Sequence, residues 1–413
     1  MNVLTFWSRH RLLGAAVVFS LFLAACGPAP LGIDWAAITT VGEEQNILVA
    51  NGSHLVMVSP VDGQPIRLRN ADGEPLLDDE GNPRIWEVKS SDAENAQFYS
   101  APVAVNDSTL LVAAYNNRIY QVNIPRARVE NPSGDPVRNN GNTHIVADPL
   151  LSNDLLYVGL AAHDMVALNR EDLSERWSVN TGHGVWSKPR LVDGALYFTS
   201  LDHFLYAVDA ETGDELWRLD LQGTATDAPV YLPAAEDGGV GHLFIGSFAR
   251  KIYDISTDGE ILNEYTTHGW VWNSPTLMDG ILYAADLEGW VYALDAQDGL
   301  SEVWTPHQLA PSAIRPSPVV FGDTVVVATR DGHLHWLNRD NGAYLTDTAD
   351  DGSFVNRVRA LKGQVFSDVL LIESSDAVAL DSPIVVVSTM APEEILVAFN
   401  ANTGERLWSY PQQ

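Results

Sequence analysis

The chain has 413 residues with 24 basic and 54 acidic side chains, a formal net charge of −30 and one cysteine. So acidic a surface repels phosphate backbones, and no basic block offsets it, so nucleic-acid binding is excluded. A lone cysteine excludes an intramolecular disulfide, a cysteine-based zinc site and a CxxCH haem attachment, while 46% hydrophobic and 19% charged residues describe a folded globular chain.

The first 25 residues read as an export signal. Arg9 and Arg11 precede an uncharged apolar run over 12–25. As a helix that run would reach only about 21 Å, short of the roughly 30 Å hydrocarbon core. It ends in Leu23-Ala24-Ala25-Cys26-Gly27, which resembles a bacterial lipobox. The resemblance implies cleavage before Cys26 and lipidation of its thiol, and two or three acyl chains anchor stably where one is marginal. The expected organisation is a signal peptide over 1–25, a lipidated Cys26 with a Gly/Pro tether over 26–33, and one β domain over 34–413. The expected location is membrane-anchored on the exported side: the outer membrane facing the periplasm, or the cell surface. Gly27 is not the aspartate that retains some lipoproteins at an inner membrane, which favours the outer membrane where the host has one.

From residue 34 onward, strand-like runs alternate with Asp-Gly, Asn-Gly and Thr-Gly corners, without helical periodicity. Self-comparison finds a repeat. Six segments place a proline before apolar residues: Ala101-Pro102-Val103, Asp148-Pro149-Leu150, Lys188-Pro189-Arg190, Ala228-Pro229-Val230, Ser274-Pro275-Thr276 and Ser317-Pro318-Val319. The proline spacings of 47, 40, 40, 46 and 43 residues are those of propeller blades. Copies without the proline stand at both ends, over 35–89 and 369–410. The count is eight four-stranded antiparallel blades, or seven if the first is incomplete. Extra length over 70–82, 125–143, 233–241 and 351–363 is expected to form loops. Trp177, Trp217, Trp304 and Trp408 recur near the end of their units, on the fourth strand, where each can bury about 200 Å² between blades. Blades two, five and seven lack this tryptophan and must pack otherwise.

The unit, Asp-Ala-x-Thr-Gly-x-x-x-Trp with Asp-Gly-x-x-Tyr-Ala-Leu-Asp, resembles the PQQ-like propeller repeat over nearly the whole exported chain. The chain is also similar in length, lipobox and blade number to the BamB-type lipoproteins of outer-membrane barrel assembly. The repeat is named for quinoprotein dehydrogenases, yet many non-enzymatic proteins share it.

Catalytic patterns are sparse. The alcohol-oxidising quinoproteins use a ring of two adjacent cysteines, and this chain has none beyond Cys26. HExxH, GxSxG and Walker motifs are missing. His333 and His335 alternate on a strand and share a face, but third and fourth metal ligands are not evident. Asp72-Gly73-Glu74 and Asp78-Asp79-Glu80-Gly81 lack the spaced oxygens of an EF-hand loop and read as turns. The expectation is no catalytic residue, no metal and no cofactor.

In a four-stranded meander, loops after strands one and three lie on one face, and loops after strands two and four on the other. The first face collects Asp62, Asp172, Asp193, Asp209, Asp258, Asp279, Asp295 and Asp340, the usual corner residues of hairpins. The second collects Tyr99, Arg118, Trp186, Arg250, Trp270, Trp272, Trp290, Arg315 and Arg330. Of these, Tyr99, Trp186, Trp272 and Arg315 each stand three residues before a repeat proline, at equivalent places around the channel mouth. Aromatics mixed with arginine are the composition of interface hot spots, and this face is the candidate partner-binding face. The leading expectation is a non-enzymatic platform for an unidentified envelope protein, with outer-membrane protein assembly implied by the resemblance. Two alternatives stand beside it: a PQQ- and calcium-dependent dehydrogenase, and a glycan binder using Trp186, Trp270, Trp272 and Trp290.

Overall fold

The architecture comes from a computed structural model that describes residues 36–70, 72–137, 143–152, 154–235 and 239–412. The export signal, Cys26 and the tether lie outside the described residues, as does Trp35 at the expected start of the first blade. Among the described residues the apolar runs fold into eight antiparallel blade sheets, each drawn from one contiguous stretch, with a separate two-stranded sheet inserted in blade 7 and an extra strand on the third strand of blade 2. Blade 4 is the type copy: Arg190–Val192, Ala195–Thr199, Phe204–Asp209 and Glu215–Asp220. The first strands of the eight blades are Ala37–Val41, Val103–Asn106, Leu150–Leu151, Arg190–Val192, Val230–Leu232, Thr276–Met278, Val319–Phe321 and Leu370–Ile372. The N-terminal stretch makes a complete blade, adding Asn46–Asn51, His54–Val58 and Glu87–Lys89, so the count is eight.

Period-two alternation distributes each strand between two neighbours. Leu196 and Phe198 face blade 3, whereas Tyr197 between them faces blade 5. The buried apolar residues accordingly form eight clusters, one at each interface around the ring, with blades 8 and 1 sharing the last.

The fourth-strand tryptophans tie these interfaces. Each stands opposite an alanine of the third strand: Trp177 on Ala167, Trp217 on Ala207, Trp304 on Ala293 and Trp408 on Ala398. Each indole then reaches the next blade. The Nε1–H groups donate to the carbonyls of Ala210 (3.0 Å), Thr257 (2.9 Å), Arg339 (3.2 Å) and Pro60 (3.0 Å). Each ring also covers a glycine of that blade's turn: Gly213, Gly259, Gly342 and Gly63. These glycines adopt φ of +67° or more, and a Cβ on any of them would stand 2.5–2.9 Å from the indole. Turn conformation and close approach both demand glycine there. Trp408 with Pro60 and Gly63 closes the ring between the two ends of the chain, helped by Ser388 Oγ donating to the Ala36 carbonyl (3.1 Å).

Blades lacking the tryptophan use other groups. In blade 5 the Trp/Ala pair is replaced by Asn263 opposite Asp254, whose carboxylate accepts from Asn263 Nδ2 (2.9 Å) and contacts His242 Nδ1 (2.8 Å). In blade 7, Trp336 on the third strand donates to the Ala401 carbonyl (2.8 Å), and Arg359 Nε donates to the Gly404 carbonyl (2.8 Å). Blade 1 adds Trp86, which donates to the Ile124 carbonyl of blade 2 (2.6 Å).

Two expected loops are corrected. Segment 351–363 contains Phe354–Asn356, paired with Thr346–Thr348, and Val358–Ala360, the fourth strand of blade 7. The insertion therefore lies before that strand, and Asp347 holds it by pairing with Arg357 (2.8 Å) and Arg359 (2.7 Å). Segment 125–143 contributes Arg128–Val129 and Asp135–Pro136, which both pair with the third strand of blade 2. Within 70–82, Asn70 Oδ1 accepts from the Asp72 and Glu74 amides, and Asp78 Oδ1 from the Glu80 and Asn82 amides, so these oxygens serve turns.

Trp408→Ala should destabilise the chain by about 3–5 kcal/mol, the usual cost of deleting a buried tryptophan. Urea unfolding followed by circular dichroism reads this, and a cost under about 1 kcal/mol would show that closure rests elsewhere.

Candidate functional site

The first strands converge on a central cavity of about 470 Å³ lined by blades 3 to 7. Hydrogen bonds link them around it: Thr276 Oγ1 donates to the Pro318 carbonyl (2.6 Å) and Ser317 Oγ to the Ser274 carbonyl (2.8 Å). Three carboxylates hold inner backbone amides. Asp148 accepts from the Ala101 amide (2.6 Å), Asp227 from those of Ala228 (2.8 Å) and Ser274 (3.2 Å), and Asp368 from Asn273 Nδ2 (2.7 Å) and the Ser317 amide (3.3 Å). Desolvation by the surrounding strands raises all three. Asp368 goes up to about 6, with the charges of Asp227 and Asp148 adding to the effect, although its side chain remains solvent-accessible. Lys188 and Arg190 oppose the effect at Asp227.

On the second face, above this cavity, the crossovers between blades carry aromatic and guanidinium groups that join into a strip. Phe248 stacks on Trp270 (centroids 5.1 Å, planes 10° apart) and leans on Trp272 (5.5 Å). Arg315 lies over the Trp272 ring at 4.1 Å and over Phe366 at 4.8 Å, and Arg330 covers Phe366 at 5.2 Å. Trp270, Phe248, Trp272, Arg315, Phe366 and Arg330 thus run continuously across the crossovers and loops of blades 5 to 8. Burial and the neighbouring Arg330 lower Arg315 to about 10, so it stays protonated at neutral pH. Among the described residues it has no carboxylate partner, and cation–π contacts hold it in place.

The strip is held from below by a buried carboxylate. Asp286 is fully buried and accepts from the Gly269 amide (2.6 Å), the Glu288 amide (2.9 Å), the Trp290 amide (3.0 Å) and the Tyr292 hydroxyl (2.6 Å). It pins the crossover bearing Trp270 to the loop bearing Trp290. Asp202 repeats the device in blade 4 with the Gly182 amide (2.7 Å) and the Tyr206 hydroxyl (2.7 Å). Sequence reasoning missed the role of Asp286; its signal is the Asp286-x-x-Gly289 loop, beside the glycine of the Thr267-His268-Gly269 crossover.

The other expected face residues sit apart from the strip. Trp290 stacks on His268 (3.7 Å, 4°). Tyr99 packs edge-on against Tyr115, which stacks on His144 (4.0 Å) as a second cluster. Trp186 is half-buried at the equivalent crossover of blade 4. Arg250 reaches Glu288 at 3.7 Å. Arg118 is taken up by structure, its Nη1 donating to the carbonyls of Ser133 (2.6 Å) and Gly134 (2.9 Å). His335 is buried and lowered to about 4, with Nδ1 3.2 Å from the Tyr344 hydroxyl, whereas His333 is half-exposed beside Asp331. Among the described residues no three His, Cys, Asp or Glu side chains are placed to hold a metal ion.

The family model for the outer membrane protein assembly factor BamB matches residues 127–237 and 204–413. The chain belongs to that family. A BamB of Shewanella oneidensis is 23% identical over 282 residues, 57% of this chain and 68% of its own. The chain spans about three fifths of the length of further assembly-factor relatives. A crystal structure of BamB from Moraxella catarrhalis superposes with a TM-score of 0.56 at 15% identity, over 88% of this chain and 99% of that one. A europium-containing methanol dehydrogenase reaches a TM-score of 0.60 at 10% identity, over 86% and 84%. These two likenesses concern the fold. Among the described residues no helix is long and apolar enough to cross a membrane.

The raised Asp368 carries a pH signature. In the window from the ordinary carboxylate value up to about 6, the folded chain binds more protons than the unfolded one at this group. Its contribution is therefore fully present at low pH and lost as pH rises through 6. Asp368→Asn keeps an acceptor for Asn273 and Ser317 without the charge. Its stability relative to the parent should rise between pH 4.5 and pH 7; melting curves showing no pH-dependent difference would contradict this.

Proposed function

We propose that this chain is a non-catalytic assembly factor of the cell envelope. In this reading it works in outer-membrane protein assembly, anchored through Cys26 and presenting the strip across blades 5 to 8 to a partner protein. Family membership supports the assembly role. The observation that carries the binding face is Arg315, a desolvated cation without a carboxylate partner among the described residues, its guanidinium carbon 4.1 Å from the Trp272 ring and 4.8 Å from the Phe366 ring. A guanidinium ordered in this way has its planar donors pre-arranged for carbonyls or carboxylates of an incoming chain. Aromatic groups around it can exclude water once the partner is seated.

The glycan alternative is weakened by the rings themselves. Phe248 covers one face of Trp270, His268 one face of Trp290, and Arg315 one face of Trp272. The dehydrogenase alternative draws on fold likeness and a match over about a third of the chain, and among the described residues no constellation of side chains on this face supports it.

Crosslinking in intact cells, followed by purification through a C-terminal tag, should recover an envelope assembly protein. Trp272→Ala or Arg315→Ala should reduce that recovery by about tenfold, the effect of losing roughly 1.4 kcal/mol at a hot spot. Undiminished recovery with both variants would move the binding face elsewhere. Cys26→Ser should shift the chain from the membrane to the soluble envelope fraction; retention in the membrane would refute the lipid anchor.

A further inference from the structure

Blades 1 and 2 meet at the rim in a groove unrelated to the aromatic strip. Its volume is about 620 Å³, and Arg84, Arg126 and Arg128 all line it, over a floor that includes Leu76, Val129 and Pro132. Arg84 comes from the long insertion before the fourth strand of blade 1, and the other two from the outer turn of blade 2. With 54 acids for 24 bases, several arginines of this chain reach carboxylates, as Arg339, Arg357, Arg359 and Arg406 do. None of the three groove guanidiniums has an ion pair or side-chain hydrogen bond among the described residues. The one carboxylate lining the groove, Asp92, accepts the Lys89 amide (3.1 Å) and caps a short turn.

The walls are set before any ligand arrives. Trp86, 2% exposed, bridges them by donating to the Ile124 carbonyl (2.6 Å). Arg84 is fixed by its backbone, its amide donating to the Leu76 carbonyl (2.7 Å) and its carbonyl accepting from Leu68 (2.9 Å). Arg128 lies on a strand paired with Asn123, and the Arg126 amide donates to Asn123 Oδ1 (3.0 Å). Three forked cations on a braced frame suit carboxylates, which guanidinium binds in bidentate fashion. The apolar floor suits a neighbouring hydrophobic side chain. A bilayer surface fits less well, because an anionic sheet meets the net charge of −30 as well as the groove.

We propose that this groove docks a short acidic peptide segment of a partner, with two or more carboxylates flanking an apolar residue. The site is separate from the strip around Arg315 and does not depend on it. The test uses the full-length purified chain and a fluorescein-labelled peptide Glu-Leu-Glu-Asp-Leu-Glu, with Gln-Leu-Gln-Asn-Leu-Gln as its neutral counterpart. Anisotropy should show saturable binding of the acidic peptide alone, weakening at least about tenfold as salt rises from about 0.05 to 0.5 M. Arg84→Gln with Arg126→Gln and Arg128→Gln should abolish it. These side chains are exposed, so circular dichroism should stay unchanged, and Trp272→Ala should bind the peptide like the parent. Absent binding, equal binding of the neutral peptide, or equal binding by the triple variant overturns the proposal. Binding of phosphatidylglycerol vesicles that depends on the three arginines, without peptide binding, also overturns it and assigns the groove to lipid headgroups.

Discussion

An indole laid against a glycine of the next blade is the contact on which this molecule turns. A single four-stranded sheet exposes both faces and cannot persist alone in water. What makes eight of them one body is burial between neighbours, and the tryptophan sets the angle and distance of that burial. Its Nε1–H must find the carbonyl at the start of the neighbouring turn while its ring covers the glycine at the turn's end. Alanine opposite it on the third strand leaves room for the ring. Where the pair changes, as at Asn263 and Asp254 in blade 5, the interface turns to polar contacts instead. The ring closes with the same device that builds it, Trp408 on Gly63 and the Pro60 carbonyl.

From that constraint follows the placement of the face. Fixing the blade angle brings the first strands together around the central cavity, and carboxylates beside it accept from their amides. Asp148, Asp227 and Asp368 supply these acceptors at the cost of a raised affinity for protons. Just beyond, the crossovers rise to the surface at equivalent positions, so residues remote in sequence become neighbours. Trp272, Arg315 and Phe366 meet because each stands at the same step of its own repeat. Asp286 adds rigidity, since its four donors come from both the crossover and the loop it pins.

The repeat made most of this legible in advance. Proline spacing and Asp-Gly corners marked the blades, and the fourth-strand tryptophans could be assigned to the interfaces from spacing alone. The residue three places before each repeat proline identified Trp272 and Arg315 as equivalent. The same rule failed for Phe366, because blade 8 has Asp368-Val369 where blades 2 to 7 have a residue and proline. It failed again at Val358–Ala360, where an insertion held by Asp347 displaces the fourth strand of blade 7 into a stretch without tryptophan or a Thr-Gly corner. Arg118 carries the opposite lesson. Its place in the repeat matches the face, but two backbone carbonyls of its own blade's loop occupy it, and spacing carries no information about a competing local partner.

Arginine use separates frame from function in this chain. Several guanidiniums are matched to groups of the fold: Arg357 and Arg359 stand in for a missing tryptophan between blades 7 and 8, Arg339 ties Asp279 to Tyr283, and Arg118 closes a loop. Other guanidiniums stand without an ion pair among the described residues, and some of these gather at one place. Two places stand out, the strip with Arg315 and Arg330 and the rim groove with its three arginines. Trp272 lies beneath Arg315 and orders its side chain, whereas Trp86 fixes the backbone of the two blades from which the rim arginines project. Ordering of this kind lowers the entropy that a guanidinium still has to lose when it engages a further group.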